Sequence, residues 1–186
     1  VAGFSILLKP NGVATFEFPH LLKLVNENQF DTIYHEHFSY LSLTALETIF
    51  KENGLQIFDV EEHTTHGGSL RLFAQRSDTG VQIVSEQVIK LRKREMDAGM
   101  DSDNFYKNFQ EKANIVKDDL LNFLIKAKQD GKKVVAYGAA AKGNTLLNYA
   151  GIRPDLLSYV VDKSPSKQGK YMPGSRIPIH TEQFLK

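Results

Sequence analysis

Within Ile33-Tyr34-His35-Glu36-His37-Phe38-Ser39-Tyr40, eight consecutive positions hold two imidazoles, one carboxylate and two phenols. Imidazoles change protonation near neutral pH, so the chemistry on offer is proton transfer, with a carboxylate and phenols at hand to orient or polarise. A core strand or helix would have to satisfy every one of these polar groups, and a solvated loop rarely carries so many rings. The half-buried rim of an active site accommodates both facts. If the stretch is extended, His35 alternates away from Glu36 and takes a structural role. The bland alternative is a polar loop that caps the following helix. A metal reading would join His35 and His37 to His63 and His66, but no second acidic or cysteine set supports it, and no metal site is assigned. His63 and His66 flank Gly67-Gly68 and read as a solvated loop at the rim.

A second stretch points to anion binding. Val134 to Tyr137 reads as a buried strand that leads directly into Gly138-Ala139-Ala140-Ala141-Lys142-Gly143. A helix from Asn144 to Ala150, ended by Gly151, and a strand from Leu156 to Val161 with Asp162 at its tip complete a βαβ unit. The layout is that of a dinucleotide fold, with Ala140 in place of the middle glycine of G-x-G-x-x-G. Amides at a helix start after a tight glycine turn attract anions, which makes Gly138, Lys142, Gly143 and Asn144 candidates for phosphate or nucleotide. Asp162 could meet a ribose hydroxyl or cap the loop Lys163-Ser164-Pro165. A Rossmann-like scaffold that binds nothing remains the alternative.

The elements that must position these groups follow from pattern. Val1 to Leu8 reads as the end of an amphipathic helix, stopped by Lys9-Pro10-Asn11-Gly12, so the chain is read as part of a larger protein. Val13 to Phe18 is a strand that Pro19 ends, and residues 20 to 28 form a short helix or turn. Thr44 to Glu47 fits a capping box with Thr44 as N-cap; Leu46, Ile49 and Phe50 supply the apolar face, and Asn53-Gly54 closes the helix. Leu55 to Val60 and Ser69 to Gln75 form an antiparallel pair. From 81 to 130 the chain is helical, with Val84, Val88 and Leu91 on one face. After a break near 99–103, Phe105, Phe109, Ala113, Val116, Leu120, Phe123 and Ala127 share another. Gly169 to Pro178 is turn-rich, and Thr181 starts a final helix. The fold class is α/β. Three parts are expected: 1–80, a helical connector over 81–130, and a Rossmann-like βαβ domain over 131–186.

Composition narrows the function classes. The 186 residues, 41% hydrophobic and 24% charged, can bury a core, and no apolar run is long enough to span a bilayer. The absence of cysteine excludes disulfides and thiolate metal sites and makes a cytoplasmic setting the default. Net charge is −5 over residues 1–80, zero over 81–131 and +6 over 132–186. The basic third suits a small phosphate ligand at least as well as nucleic acid, which would want an aromatic, basic face.

Three passages together resemble one family. Tyr34-His35-Glu36-His37, the passage Leu8 to Pro19, and Val134 to Gly151 with its YGAAAKGNTLLNY run occur in the order found in the sugar C-methyltransferases. These enzymes use S-adenosylmethionine to methylate C3 of nucleotide-linked 4-keto-deoxysugars. The resemblance implies that residues 1–80 are the C-terminal part of a class I methyltransferase sheet, and that His37 is the general base. By the same match Glu36 is an orienting or polarising carboxylate, and Tyr34 a hydroxyl near the sugar. It further implies that the main cofactor loop and a zinc-binding domain lie upstream of Val1, so that the chain by itself would be inactive. The C-terminal domain would then help hold the nucleotide diphosphate of the sugar. A non-catalytic Rossmann-like nucleotide-binding module is the other reading.

Overall fold

The computed structural model describes residues 1–185, a mixed α/β chain that divides into two compact units. The first comprises Val1–Gln29 and Phe38–Phe109; the second comprises Phe30–His37 and the residues from Gln110 onward.

In the first unit, helix α1 (Ala2–Leu7) turns at Pro10-Asn11 into strand β1 (Val13–Pro19), followed by α2 (Leu21–Asn26). Helix α3 (Leu43–Glu52), strands β2 (Leu55–His63) and β3 (Ser69–Arg76), and helix α4 (Glu86–Asp97) complete it. The sheet order is β1-β3-β2, with β3 antiparallel to both neighbours, so β1 and β2 run the same way. Pro19 ends β1 opposite Ser69, where its missing N–H costs least. A register shift between Ile57 and Asp59 bends β2. Leu43, Phe50, Leu55, Leu70, Leu72 and Val88 are each at most 1% exposed and form the centre of this core. Burying one such side chain is worth about 1.5–3 kcal/mol.

Two expectations for α3 are corrected. Its N-cap is Ser42, whose Oγ accepts from the Ala45 N–H at 3.1 Å; Thr44 instead turns its hydroxyl to Glu95. Ile49 is exposed, and Leu43 takes the place expected for it in the core. The cap thus lies two residues before the expected one, while Leu46 and Phe50 are buried as expected.

The second unit holds α5 (Phe109–Gln129, in this unit from Gln110), β4 (Ala136–Tyr137), α6 (Ala141–Tyr149), β5 (Val160–Val161) and β6 (Ile179–His180). Its sheet is parallel in the order β4-β5-β6. Leu124, Ile152, Val160, Ile177 and Ile179 anchor its core. On α5 the buried positions are Ala113, Leu124 and Ala127, with Leu120 packed against the core, while Val116 and Phe123 are exposed. The strands are shorter than their apolar runs. Helix α6 begins at Ala141, so Lys142, Gly143 and Asn144 lie in its first turn. After Thr181 only a 3-10 turn, Glu182–Phe184, forms in place of a helix.

Candidate functional site

Residues 30–37 join the second unit through a 3-10 turn, Phe30–Thr32, in which Phe30 and Thr32 are buried. The Phe30 ring packs 5.3 Å from that of Tyr149 on α6. A tight turn follows, closed by the His37 N–H donating to the Tyr34 carbonyl at 3.0 Å. The stretch is therefore a turn and not a strand, and the alternation expected for His35 does not apply. The His35 ring lies 3.9 Å from the Glu36 carboxylate, and both side chains are largely exposed.

His37 is the most constrained member. Its Nδ1 lies 2.8 Å from the Thr32 carbonyl oxygen, which can only accept, so Nδ1 carries the proton and Nε2 is left as the basic nitrogen of the neutral ring. The Tyr34 ring lies against it, centroids 4.5 Å apart and planes tilted by 36°. A carbonyl thus does the orienting, a role that a carboxylate fills in many histidine pairs. Nothing in the residue types of the tetrapeptide shows this, because Thr32 acts through its backbone.

Tyr34 and His35 border a cavity of about 550 Å³, and across it stand Ala139, Asn144 and Lys170. The structure so brings one proposed catalytic residue, Tyr34, together with one proposed nucleotide contact, Asn144. Gly138, in the β4–α6 connection, and Lys142 and Gly143, in the first turn of α6, are sequence neighbours of this wall; Gly138 has φ +95°, a conformation suited to glycine. The N-cap position of α6 is Ala140, which provides no side-chain cap.

Asp162 stands at the tip of β5 with 8% exposure. Its Oδ2 accepts from the Ala139 N–H at 2.7 Å, and its Oδ1 from the Ser164 N–H at 2.8 Å. These amides, the Ser164 one foremost, hold its carboxyl below the usual range, with Lys167 adding to the effect and burial opposing it. Lys167 Nζ donates to the Ala139 carbonyl at 2.9 Å and lies 3.3 Å from Asp162 Oδ2. Lys167 and Lys170 escaped the reading by motif. Their only signal was a basic turn, with Lys163, Lys167 and Lys170 one, five and eight residues past Asp162.

The first unit carries another polar cluster. His20 and Glu95, each 1% exposed, are joined by a 2.8 Å bond, and Glu95 also accepts from the Leu43 and Thr44 amides and the Thr44 hydroxyl. His63 Nε2 lies 3.2 Å from Glu61 on the exposed end of β2. Among the described residues no three potential metal ligands converge. No helix among them is long and apolar enough to cross a membrane.

Comparison with known proteins identifies the family. The chain is 38% identical over 177 residues to the C-methyltransferase NovU of Streptomyces niveus. That alignment covers 95% of the chain but only 42% of the relative, so the chain spans less than half of that protein's length. A family profile, the C-methyltransferase C-terminal domain, matches residues 64–186, well over half of the sequence. The chain belongs to the C-methyltransferase C-terminal domain family.

Proposed function

We propose that this chain supplies the proton-abstracting and nucleotide-holding part of an S-adenosylmethionine-dependent enzyme that methylates C3 of a nucleotide-linked 4-keto-deoxysugar. The observation that supports it best is the His37–Thr32 hydrogen bond, which leaves a defined basic nitrogen on a ring packed against Tyr34; Tyr34, and not His37 itself, lines the cavity of about 550 Å³.

Methylating a carbon next to a ketone requires loss of its proton. His37 Nε2 takes the C3 proton; the C–H electron pair moves into the C3–C4 bond, and the carbonyl pair moves onto O4 as an enolate. The imidazolium keeps its Nδ1–H on the Thr32 carbonyl, which stabilises the cation without moving the ring. Tyr34 donates toward the sugar oxygens, and Glu36, open to solvent, meets the sugar as a polarising carboxylate. The nucleotide diphosphate lies at the α6 end of the cavity, with Gly138 giving the turn and Lys142, Gly143 and Asn144 forming the receiving first turn.

The methyl group comes from S-adenosylmethionine. The residues present do not fit that cofactor: the strand–loop–helix passage over 136–149 has both backbone groups of Ala139 occupied by Asp162 and Lys167. Its binding loop, and any zinc domain, would lie in further sequence of the kind that lengthens NovU. The setting would be cytoplasmic, with no membrane or nucleic acid involved.

The test uses the full-length enzyme with its nucleotide sugar in deuterated water. Wild type should exchange the C3 proton, and His37→Gln should slow exchange by about 10²–10⁴-fold, the usual worth of a general base. Unchanged exchange would assign the base elsewhere. A non-catalytic nucleotide module would bind the sugar and exchange nothing.

A further inference from the structure

The pair Asp162–Lys167 closes on a single peptide residue from both sides. Ala139 gives its N–H to Asp162 Oδ2 at 2.7 Å, and its carbonyl accepts from Lys167 Nζ at 2.9 Å. Around this clasp, Gly138 N–H donates to the Val161 carbonyl at 2.7 Å and Gln168 Nε2 to the Asp162 carbonyl at 2.8 Å. Ala139 belongs to the loop wall of the cavity and Lys167 to the facing 166–170 wall, so the clasp ties one wall to the other.

The charges matter as much as the bonds. The Ala139 amide, which an incoming phosphate would otherwise use, is already taken by a carboxylate. An uncompensated Asp162 there would repel any anion in the cavity. Lys167, 3.3 Å from the same oxygen, cancels that charge, and the cavity's balance is then set by Lys170 on its rim.

We propose that Lys167 is a positioning residue for an anionic ligand: by neutralising Asp162 and holding the Ala139 carbonyl, it makes the loop wall of the cavity permissive for a nucleoside diphosphate. The proposal rests on the reading that the cavity binds the nucleotide part of the substrate. Asp162 accordingly serves the loop and not a ribose hydroxyl, since Ala139, Ser164 and Lys167 already engage both its oxygens.

The experiment is calorimetric titration of the full-length enzyme with uridine and thymidine diphosphates and with the uncharged nucleosides uridine and thymidine. Wild type should bind a diphosphate. Lys167→Met should weaken the diphosphate by about tenfold, the effect expected of one unbalanced charge at a partly solvated site, while changing the nucleoside by less than about twofold. Lys167→Arg should recover most of the affinity, and Asp162→Asn combined with Lys167→Met should also recover it by restoring neutrality. In turnover, KM for the nucleotide sugar should rise more than kcat falls. Equal weakening of nucleoside and diphosphate would show a merely structural role, and either that result or no change in Lys167→Met overturns the proposal, as does a double variant without recovery. Wild type that binds no diphosphate overturns the underlying reading and the proposal with it, and does so before any variant is made.

Discussion

Glu95 Oε1 lies 2.8 Å from His20 Nε2, two side chains seventy-five residues apart and both essentially inaccessible to solvent. Burial raises the Glu95 pKa, but bonds from His20, the Thr44 hydroxyl and the Thr44 and Leu43 amides outweigh it and bring the carboxyl below its ordinary value of 4.5. A carboxyl depressed in the folded state contributes stability that is present above its unfolded pKa and is lost as pH falls through the folded pKa. Glu95→Gln should cost about 3–5 kcal/mol near pH 7, the scale for breaking a buried pair. Denaturant melts at falling pH should show the gap between wild type and variant narrowing once pH drops below the ordinary carboxylate value, where the unfolded chain takes up the proton while the folded carboxyl still resists it. A gap constant down to about pH 3 would contradict the assignment.

Ser42 does the capping expected of Thr44, whose hydroxyl instead donates to Glu95, the acceptor of the Leu43 and Thr44 amides. Ser42→Ala removes the bond to the Ala45 amide and should destabilise the first unit by about 1 kcal/mol. Thr44→Val removes a 2.6 Å donor from buried Glu95 and should cost about 1–3 kcal/mol. Thermal midpoints of the two variants test the division: if Thr44 were the cap, Ser42→Ala would be silent.

The long helix α5 offers a test of phase. Phe123 is 60% exposed and its neighbour Leu124 is 2% exposed. Leu124→Ala should cost about 2–5 kcal/mol and Phe123→Ala about 0.5 kcal/mol or less, measured by urea denaturation. The reverse order would mean that the helix presents the other face to its core.

Much of this was readable in advance, for reasons the individual residues make plain. Strand β2 carries Ile57, Phe58 and Val60, β3 alternates Leu70, Leu72 and Ala74 toward the core, each strand follows a glycine, and Asn53-Gly54 and Asp130-Gly131 are strong stops, so element order came out of local chemistry. Helix phase did not, because a step of one residue in an apolar-rich run such as Phe123-Leu124 exchanges two equally apolar side chains. Glu95 follows Val88 and Leu91 at helical spacing, so a carboxylate on the buried face announces a buried partner. Thr32's part in the candidate site was not legible, since a carbonyl has no sequence signature.

Glu36 and His37 are neighbours in sequence but not partners in space: His37 is held by Thr32, and Glu36 approaches His35 at 3.9 Å. In the full-length enzyme Glu36→Gln should therefore change the C3 exchange rate by less than about tenfold, against the hundredfold or greater loss for His37→Gln. Parallel exchange measurements decide it; equal losses would make Glu36 and His37 act as a unit.

Gly174 and Asn148 meet where the Pro173–Arg176 turn crosses α6. Asn148 Nδ2 donates to the Pro173 carbonyl at 2.9 Å, and Gly174 has φ +75°. A Cβ at position 174 would fall 2.1 Å from Asn148 Oδ1 and 2.9 Å from its Cγ. Gly174→Ala thus faces a backbone penalty of about 1–2 kcal/mol and a steric one besides. A double-mutant cycle with Asn148→Ala separates them. Asn148→Ala alone loses the hydrogen bond to Pro173, about 1 kcal/mol, but in the Gly174→Ala background it also relieves the clash. The double variant should be more stable than the sum of the single losses predicts, leaving a residue close to the backbone term. Strict additivity would mean that the turn yields around Asn148 and that φ alone governs position 174.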